Sequence, residues 1–368
     1  MKKRVVSILL ALVMCIGLLA VPAFAASSQS SFSDVGSHWA KDDIERAFAV
    51  GVINGMSYNE QTGERTFAPN GNITLEQFIA IMVRSFYSYE LDVCEVSTAE
   101  SWSAREMAVA QEEGLMNGLE ANVNVKANAT RYQMAVILQN ILNNKLEPPT
   151  QAQLQAAQGR ITDWSSVPAQ YQAAVATVFH MGIINGRSNG AFDGTATMTR
   201  AEAAAVYCRV ADACAIRPVD GEAGGMLGDT LRTRWFDMTV HSGYTTNEFD
   251  GWAPGDGYMF VVLDVTLYSF TDDVPMFDVD FVLTSYYPVG ESYESVVEYP
   301  AITEVDGKAC LLSDQQLPIE YQLNNGDGVH GILLFRVPED CKDFSLFFVE
   351  EFENGETGDT FYVDFYVD

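Results

Sequence analysis

Along residues 32–212 apolar positions recur at the spacing of an amphipathic helix, and beyond residue 228 they fall into short, alternating runs typical of strands. The helical stretches, such as Ile44, Ala47, Phe48 and Val50 or Val175, Val178 and Phe179, each run into a Gly-apolar-apolar-Asn-Gly motif. The motif spans Gly51 to Gly55, Gly114 to Gly118 and Gly182 to Gly186. Glycine suits the left-handed conformation that closes a helix, so one helix is predicted to stop at each first glycine, with a brief extended run to the second. Another helix then opens on Thr74-Leu-Glu-Gln77, Thr130-Arg-Tyr-Gln133 and Thr199-Arg-Ala-Glu202. These are capping boxes: the Thr hydroxyl accepts a first-turn amide and the Gln or Glu side chain reaches back to the Thr amide. Each such cap contributes about 0.5 to 2 kcal/mol.

The order helix, glycine loop, capped helix thus occurs three times. A unit this small buries too little apolar surface alone, so the copies are expected to pack against one another around a shared core. The expected boundaries are units at 32–90, 95–145 and 161–214, with a connector at 146–160 that contains Pro148-Pro149 and a Gln/Ala run. A Gly-rich linker at 215–227 then separates an independent β domain at 228–368. Strand-like runs at 234–240, 258–270, 280–287, 329–337, 344–349 and 360–367 alternate with turn clusters such as Ala253-Pro-Gly-Asp-Gly257 and Asn324-Asn-Gly-Asp-Gly328. They predict an all-β sandwich.

The N-terminus reads as a signal peptide over residues 1–25: Met1-Lys2-Lys3-Arg4 is basic, Val5 to Ala20 is apolar, and Ala23-Phe24-Ala25 is a small-x-small cleavage site. Cys15 lies inside the apolar core, so no lipid attachment is expected. After Ala25 no apolar run approaches the ~20 residues that cross a bilayer, and no membrane insertion is expected after cleavage. The closing Phe361-Tyr-Val-Asp-Phe-Tyr-Val-Asp368 alternates like a strand and shows no sorting signal.

A formal net charge of -29 argues against nucleic acid and anionic membrane as partners. Roughly thirty acidic and about five basic side chains follow Arg217, so most of that charge belongs to the β half. Asp272, Asp273, Asp278 and Asp280 do not match an EF-hand loop and read as a solvated acidic face, so no metal is expected. Five cysteines follow the leader, an odd and sparse set in which Cys310 and Cys341, both in the β domain, are the candidate disulfide. The four histidines and the lack of a Gly-x-Ser-x-Gly or His-Glu-x-x-His motif point to no catalytic residue and no cofactor.

The three units resemble S-layer homology repeats. The resemblance rests on Phe32-Ser33-Asp34 and His38-Trp39-Ala40 in the first, the three glycine loops, and Thr199-Arg200-Ala201-Glu202 in the third. It implies an all-α, pseudo-threefold repeat prism followed by the β-sandwich. It also implies a secreted, cell-wall or cell-surface protein that binds secondary cell-wall polysaccharide, often pyruvylated, without covalent attachment and in grooves between repeats. Carried over by position, the glycan contacts are Asp34, Trp39, Trp102, Arg131, Asp163 and Arg200. An arginine suits a pyruvate carboxylate and a tryptophan face suits a sugar ring. The plainer readings are core packing for the tryptophans, helix caps for the aspartates and surface ion pairs for the arginines.

Each unit also departs from the pattern. Leu75 replaces arginine in the first, Val96-Ser97 replaces the start motif in the second, and Gln170 replaces tryptophan in the third. Scattered over three units, these changes leave an expectation of one or two working grooves. Pro254-Gly255-x-Gly257 with Gly331 to Pro338 resembles an immunoglobulin-like domain of unknown function found on many Gram-positive exported proteins. The expected function is non-catalytic anchoring that displays the sandwich to a protein or glycan partner. The alternatives are a wall-associated carbohydrate-active hydrolase using paired carboxylates, and a structural spacer with degenerate repeats.

Overall fold

A computed structural model of the chain describes residues 31–367 except 100, 290–291, 306–307 and 353–354, and the predicted signal peptide lies outside the described residues. The first unit pairs α1 (Lys41–Ala49) with α2 (Leu75–Phe86), followed by a short α3 (Ser88–Asp92). The second pairs α4 (Ala104–Glu112) with α5 (Arg131–Lys145), and α6 (Gln151–Gln158) occupies most of the expected connector. The third pairs α7 (Ala169–His180) with α8 (Arg200–Cys214). Gly51, Gly114 and Gly182 stand just past the ends of α1, α4 and α7 at φ of +78°, +68° and +71°, where a side chain would be strained. Both halves of the capping box are made at Thr74, Thr130 and Thr199. The apolar faces of all three units merge into one core.

The units are joined by extended backbone as well as by helix packing. Ile73, Ala129 and Met198, each preceding a capping threonine, pass hydrogen bonds in a closed cycle. Ile73 N–H donates to the Met198 carbonyl (3.1 Å), Met198 N–H to Ala129 (3.1 Å) and Ala129 N–H to Ile73 (2.9 Å). All three residues are buried. The first free amides of the second helices run in the opposite sense: Leu75 N–H donates to Ala127, Arg131 N–H to Ala196 and Arg200 N–H to Gly71, in each case a carbonyl of the next unit along the chain, the first following the third.

The expected all-α pseudo-threefold prism is therefore corrected. The helical region contains an antiparallel pair, β1 (Ser57–Tyr58) with β2 (Arg65–Thr66), and β-bridges between the three segments that precede the capped helices. It also holds α3 and α6, which make the units unequal. Helical periodicity registers side-chain burial and is blind to the free amides at a helix start, which here recruit extended neighbours. The hairpin forms because Gly63 turns at φ +70° while the Asn59 side chain accepts the Gln61 and Thr62 amides.

The rest of the chain is a two-sheet sandwich. Its strands are β3 (Glu222–Met226), β4 (Thr230–Arg232), β5 (Phe236–Thr246), β6 (Tyr258–Ser269), β7 (Val274–Phe277), β8 (Phe281–Val289), β9 (Ser292–Glu298), β10 (Ile302–Val305), β11 (Lys308–Leu311), β12 (Glu320–Leu323), β13 (Gly328–Pro338), β14 (Asp343–Glu351) and β15 (Thr357–Tyr366). One sheet runs β13-β6-β5-β4 and the other β3-β15-β14-β8-β9, with small pairs β10-β11 and β7-β12. Phe236, Leu263 and Phe335 of the first sheet meet Phe281, Leu346 and Phe361 of the second in the core.

Three further expectations change. The supposed linker at 215–227 contains β3, which pairs in parallel with β15 from Thr360↔Glu222 to Asp364↔Met226. Its glycine run is a packing requirement, since a Cβ on Gly224 would lie 2.4 Å from Tyr362 Cζ. The Cys310–Cys341 disulfide is not formed: both thiols are free, Cys310 on a strand that pairs with β10 and Cys341 in the sandwich core. Sharing a domain does not bring two cysteines within bonding reach. In the acidic run, Asp272, Asp273 and Asp280 accept hydrogen bonds from Asn325 N, Gln322 Nε2 and Phe277 N, so they hold turns.

Nor is the sandwich independent of the helices. Arg46 on α1 reaches Asp212 on α8 (2.8 Å) and Asp237 on β5 (3.2 Å). Arg232 on β4 grips Asp237 with both arms of its guanidinium (2.7 Å each) and touches Asp212 (2.8 Å). Lys145 adds a bond to Asp229 (3.3 Å), and Gly328 lies so close to Ala49 that a Cβ would meet its carbonyl oxygen at 2.4 Å. Burial alone would raise the Asp212 carboxyl, but the bonds from Arg232 and Arg46 outweigh it and hold that group below the usual carboxylate range.

Asp237 is only 6% exposed. Asp237→Asn should therefore cost on the order of 3 kcal/mol in urea unfolding, because it leaves two half-buried arginines short of a counter-charge. A loss below about 1 kcal/mol would be the behaviour of an exposed pair and would contradict this role. A lowered folded pKa means that the Asp212 contribution is fully present above the unfolded value of about 3.9 and is lost as pH falls through the folded value. Asp212→Asn should accordingly flatten the fall in melting temperature below about pH 4 and leave the neutral-to-alkaline slope unchanged.

Candidate functional site

Two grooves lie between the units, and each takes one element from all three. The first, about 260 Å³, is lined by Asn54 and Gly55 from the first unit's loop, Trp102 from the second unit and Arg200 from the third. The second, about 150 Å³, is lined by Asn185 and Gly186 from the third unit, Trp39 from the first and Arg131 from the second. Trp39 and Trp102 are 65% and 51% exposed, so neither belongs to the core. A large aromatic face left in water beside a groove is available to the apolar side of a ring-shaped ligand.

The arginines hold the groove walls. Arg131 donates from Nε to the Phe192 carbonyl (2.7 Å) and from Nη2 to the Asn185 carbonyl (2.7 Å). Arg200 does the same for Phe67 (2.8 Å) and Asn54 (3.1 Å). Each guanidinium lies over the ring of that phenylalanine, at 5.0 Å for Phe192 and 4.5 Å for Phe67. Both side chains are nearly buried, which lowers the guanidinium pKa, to about 10 for Arg131, and makes them poor candidates for the surface ion pairs of the plainer reading.

Asp34 and Asp163 complete these loops from behind. Asp34 accepts the Phe67 and Ala68 amides (2.8 and 2.7 Å), and Asp163 accepts those of Phe192 and Asp193 (2.7 and 2.9 Å). Ala68 and Asp193 are held at φ of +57° and +56°, a left-handed conformation that the paired amide bonds stabilise. Each phenylalanine peptide is thus clamped, its N–H by an aspartate of its own unit and its carbonyl by an arginine of another. Neither aspartate lines a groove, and neither makes a side-chain cap to a helix.

This geometry assigns the departures from the motif to one place. A groove combines a loop, the arginine position of the preceding unit and the tryptophan position of the following one, in chain order with the first unit following the third. For the second unit's loop, Gly114 to Gly118, these are Leu75 and Gln170. Leu75 and Glu76 donate their amides to Ala127 and Val125 of the second unit. Tyr171, next to Gln170, donates its hydroxyl to Glu120 just beyond Gly118. Ser97 belongs to that same unit, so the losses of arginine, aspartate and tryptophan coincide. In the arginine's absence the Asn140 side chain takes the Asn117 carbonyl (2.9 Å).

Several neighbours of the grooves lie outside the motif. Arg84 sits 5.6 Å from the Trp102 ring and is bonded to Glu106, while Arg187 and Arg209 flank Arg131 beside Glu202. Arg187 bonds both Asp193 (3.2 Å) and Glu202 (3.1 Å). The motif asparagines Asn54 and Asn185 were visible in the sequence, whereas these arginines carry no positional signal.

The family model described as the S-layer homology domain matches residues 31–79 and 160–204, the stretches that hold the two aspartate-clamped loops. The chain is similar to an amylopullulanase of Thermoanaerobacterium thermosulfurigenes, 27% identical over 183 residues, covering 48% of this chain and 9% of that protein. It is similar to exoglucanase XynX of Acetivibrio thermocellus, 25% identical over 192 residues, covering 50% and 16% respectively. It is also similar to the surface-layer 125 kDa protein of Lysinibacillus sphaericus, 30% identical over 128 residues, covering 32% and 10%. The chain therefore spans a small part of each of these relatives. Motif, clamped loops and family match thus fall on the same residues, and the chain carries the S-layer homology domain at residues 31–79 and 160–204.

Proposed function

We propose that the chain anchors itself to the cell wall without covalent attachment, by binding secondary cell-wall polysaccharide in the two grooves, and that it holds the sandwich outward as a display domain. The observation that carries this reading is the recurrence of one exposed tryptophan, one clamped arginine and one Asn-Gly turn in two separate grooves. An acidic substituent such as a pyruvate ketal suits the second groove best, where Arg131, Arg187 and Arg209 outnumber Glu202. The unit boundaries 32–90, 95–145 and 161–214 belong to the same proposal, as does secretion. We assign the sandwich no catalytic step. The hydrolase names of the relatives stay with those proteins, since the matches cover 9% and 16% of their lengths.

Co-sedimentation of the purified chain with isolated cell walls tests the proposal. Trp39→Ala and Trp102→Ala should each weaken binding by about tenfold, on the order of 1.4 kcal/mol, and the double variant should stay in the supernatant. Melting temperatures should not move, because both rings are largely in water. A double variant that pellets like the wild type would leave the repeats a structural spacer. The arginines behave differently: Arg131→Ala orphans the Phe192 and Asn185 carbonyls and should lower stability by about 1 to 3 kcal/mol in urea unfolding, apart from any effect on binding.

A further inference from the structure

The two tryptophan grooves share a frame but not a chemistry. Met56 and Arg187 each follow the second glycine of their loop, and Gln77 and Glu202 each close a capping box. Met56 and Gln77 line the Trp102 groove, Arg187 and Glu202 the Trp39 groove. In the Trp39 groove both oxygens of Glu202 are engaged: Oε2 accepts the Thr199 amide (2.8 Å) and Oε1 accepts Arg187 Nη1 (3.1 Å). In the Trp102 groove Gln77 Oε1 accepts the Thr74 amide (3.2 Å). Its other arm is therefore the NH2 group, a donor that makes no hydrogen bond among the described residues. Gln77 is only half-buried and Met56 is 55% exposed, so a ligand in the groove reaches both. An amide donor and an open thioether in one groove complement an acetamido group, whose carbonyl accepts and whose methyl is apolar.

A second pair of positions sets the charge. Arg84 and Arg209 stand at the same place after their capping threonines, and Glu106 and Asp43 at the same place after Trp102 and Trp39. In the Trp102 groove Arg84 donates from Nε and Nη2 to Oε1 of the buried Glu106 (2.9 and 2.6 Å), so its charge is matched. In the Trp39 groove the counterpart of that glutamate, Asp43, is one methylene shorter and makes no ion pair with Arg209 among the described residues. Arg209 instead gives Nη1 to the Ile183 carbonyl (3.0 Å), which leaves a groove-lining, half-buried guanidinium without the carboxylate contact that Arg84 has. Arg187 is already held by Asp193 and Glu202. Arg209 is thus the group best placed to bond a carboxylate brought by a ligand.

We propose that the two grooves read different units of the wall polysaccharide. The Trp102 groove takes an acetamido sugar, with the acetamido carbonyl accepting from Gln77 Nε2 and the methyl against Met56. The Trp39 groove takes an acidic sugar, with its carboxylate on Arg209. This division rests on the wall-binding reading above and names the residues that set each groove's preference.

The indole N–H signals of Trp39 and Trp102, assigned in nitrogen-15 spectra of the full chain from the two alanine variants, report each groove separately. Methyl N-acetylglucosaminide should bind at least about tenfold more tightly at the Trp102 signal than at Trp39, and the 4,6-pyruvate ketal of methyl glucoside should show the reverse. Gln77→Glu, which keeps the capping box as Glu202 does, should weaken the acetamido probe at Trp102 about tenfold. Arg209→Asn should weaken the ketal at Trp39 about tenfold; Asn140 fills the same position in the second unit and bonds the equivalent Leu115 carbonyl (2.8 Å), so the fold accepts it. Glu106→Gln, which releases Arg84, should tighten the ketal at Trp102 by a similar factor. The inference is overturned if neither indole responds to either probe at about 10 mM, if both answer the two probes alike, or if any of the three variants is folded and leaves its groove's preference unchanged. A wild-type chain that fails to pellet with cell walls overturns the anchoring itself, whereas one that pellets while its indoles do not discriminate overturns this division alone.

Discussion

The closed cycle of backbone hydrogen bonds through Ile73, Ala129 and Met198 is the constraint from which the rest of the molecule follows. Each bond is modest alone, but all three are buried, and a buried amide without a partner is costly. Opening any one unit would strand a donor on one neighbour and an acceptor on the other. The capping threonines follow directly in the chain, so the cycle also fixes where the second helices begin. The amides of Leu75, Arg131 and Arg200 then have a carbonyl of the next unit as their natural acceptor.

Because the cycle closes the three units into a ring, each of the two grooves between them is composite. A loop comes from one unit, its clamping arginine from the unit before it in chain order, and its tryptophan from the unit after, the first unit following the third. The clamp explains why a nearly buried arginine is tolerated: it replaces its hydration with two carbonyls and a phenylalanine face. Around the second unit's loop, where both aspartate and arginine are missing, no described non-glycine residue takes the left-handed conformation that Ala68 and Asp193 hold in the other two units. Asn140 keeps the remaining carbonyl satisfied without a charge.

The sandwich is seated on the helical units by polar groups. The sheet face that would have met water instead presents Asp237, Thr266 and His330 to the helices, and Arg46 with Asp212 closes an ion network across the junction. Charged junctions of this kind give orientation more than affinity, since desolvation offsets much of their attraction. They do fix the relation of the two parts well enough to enclose a cavity between Arg105 and His330.

The sequence by itself determined the elements that depend on neighbours in the chain. Helix stops at Gly51, Gly114 and Gly182, capping boxes at Thr74, Thr130 and Thr199, and a strand-rich C-terminal half all follow from local dihedral preference, local hydrogen bonding and periodicity. Only the tertiary structure decided what meets across units. It turned a glycine-rich linker into β3, because the demand there comes from the Tyr362 ring and not from the chain. It placed Asp34 and Asp163 behind the loops, on the Phe67 and Phe192 amides rather than on a helix cap. It gathered Leu75, Ser97 and Gln170, which read as three separate losses, around a single loop and left the other two grooves complete. The physical reason is that a side chain's partners are set by which unit the closed backbone cycle places beside it, a long-range property that no spacing along the chain records.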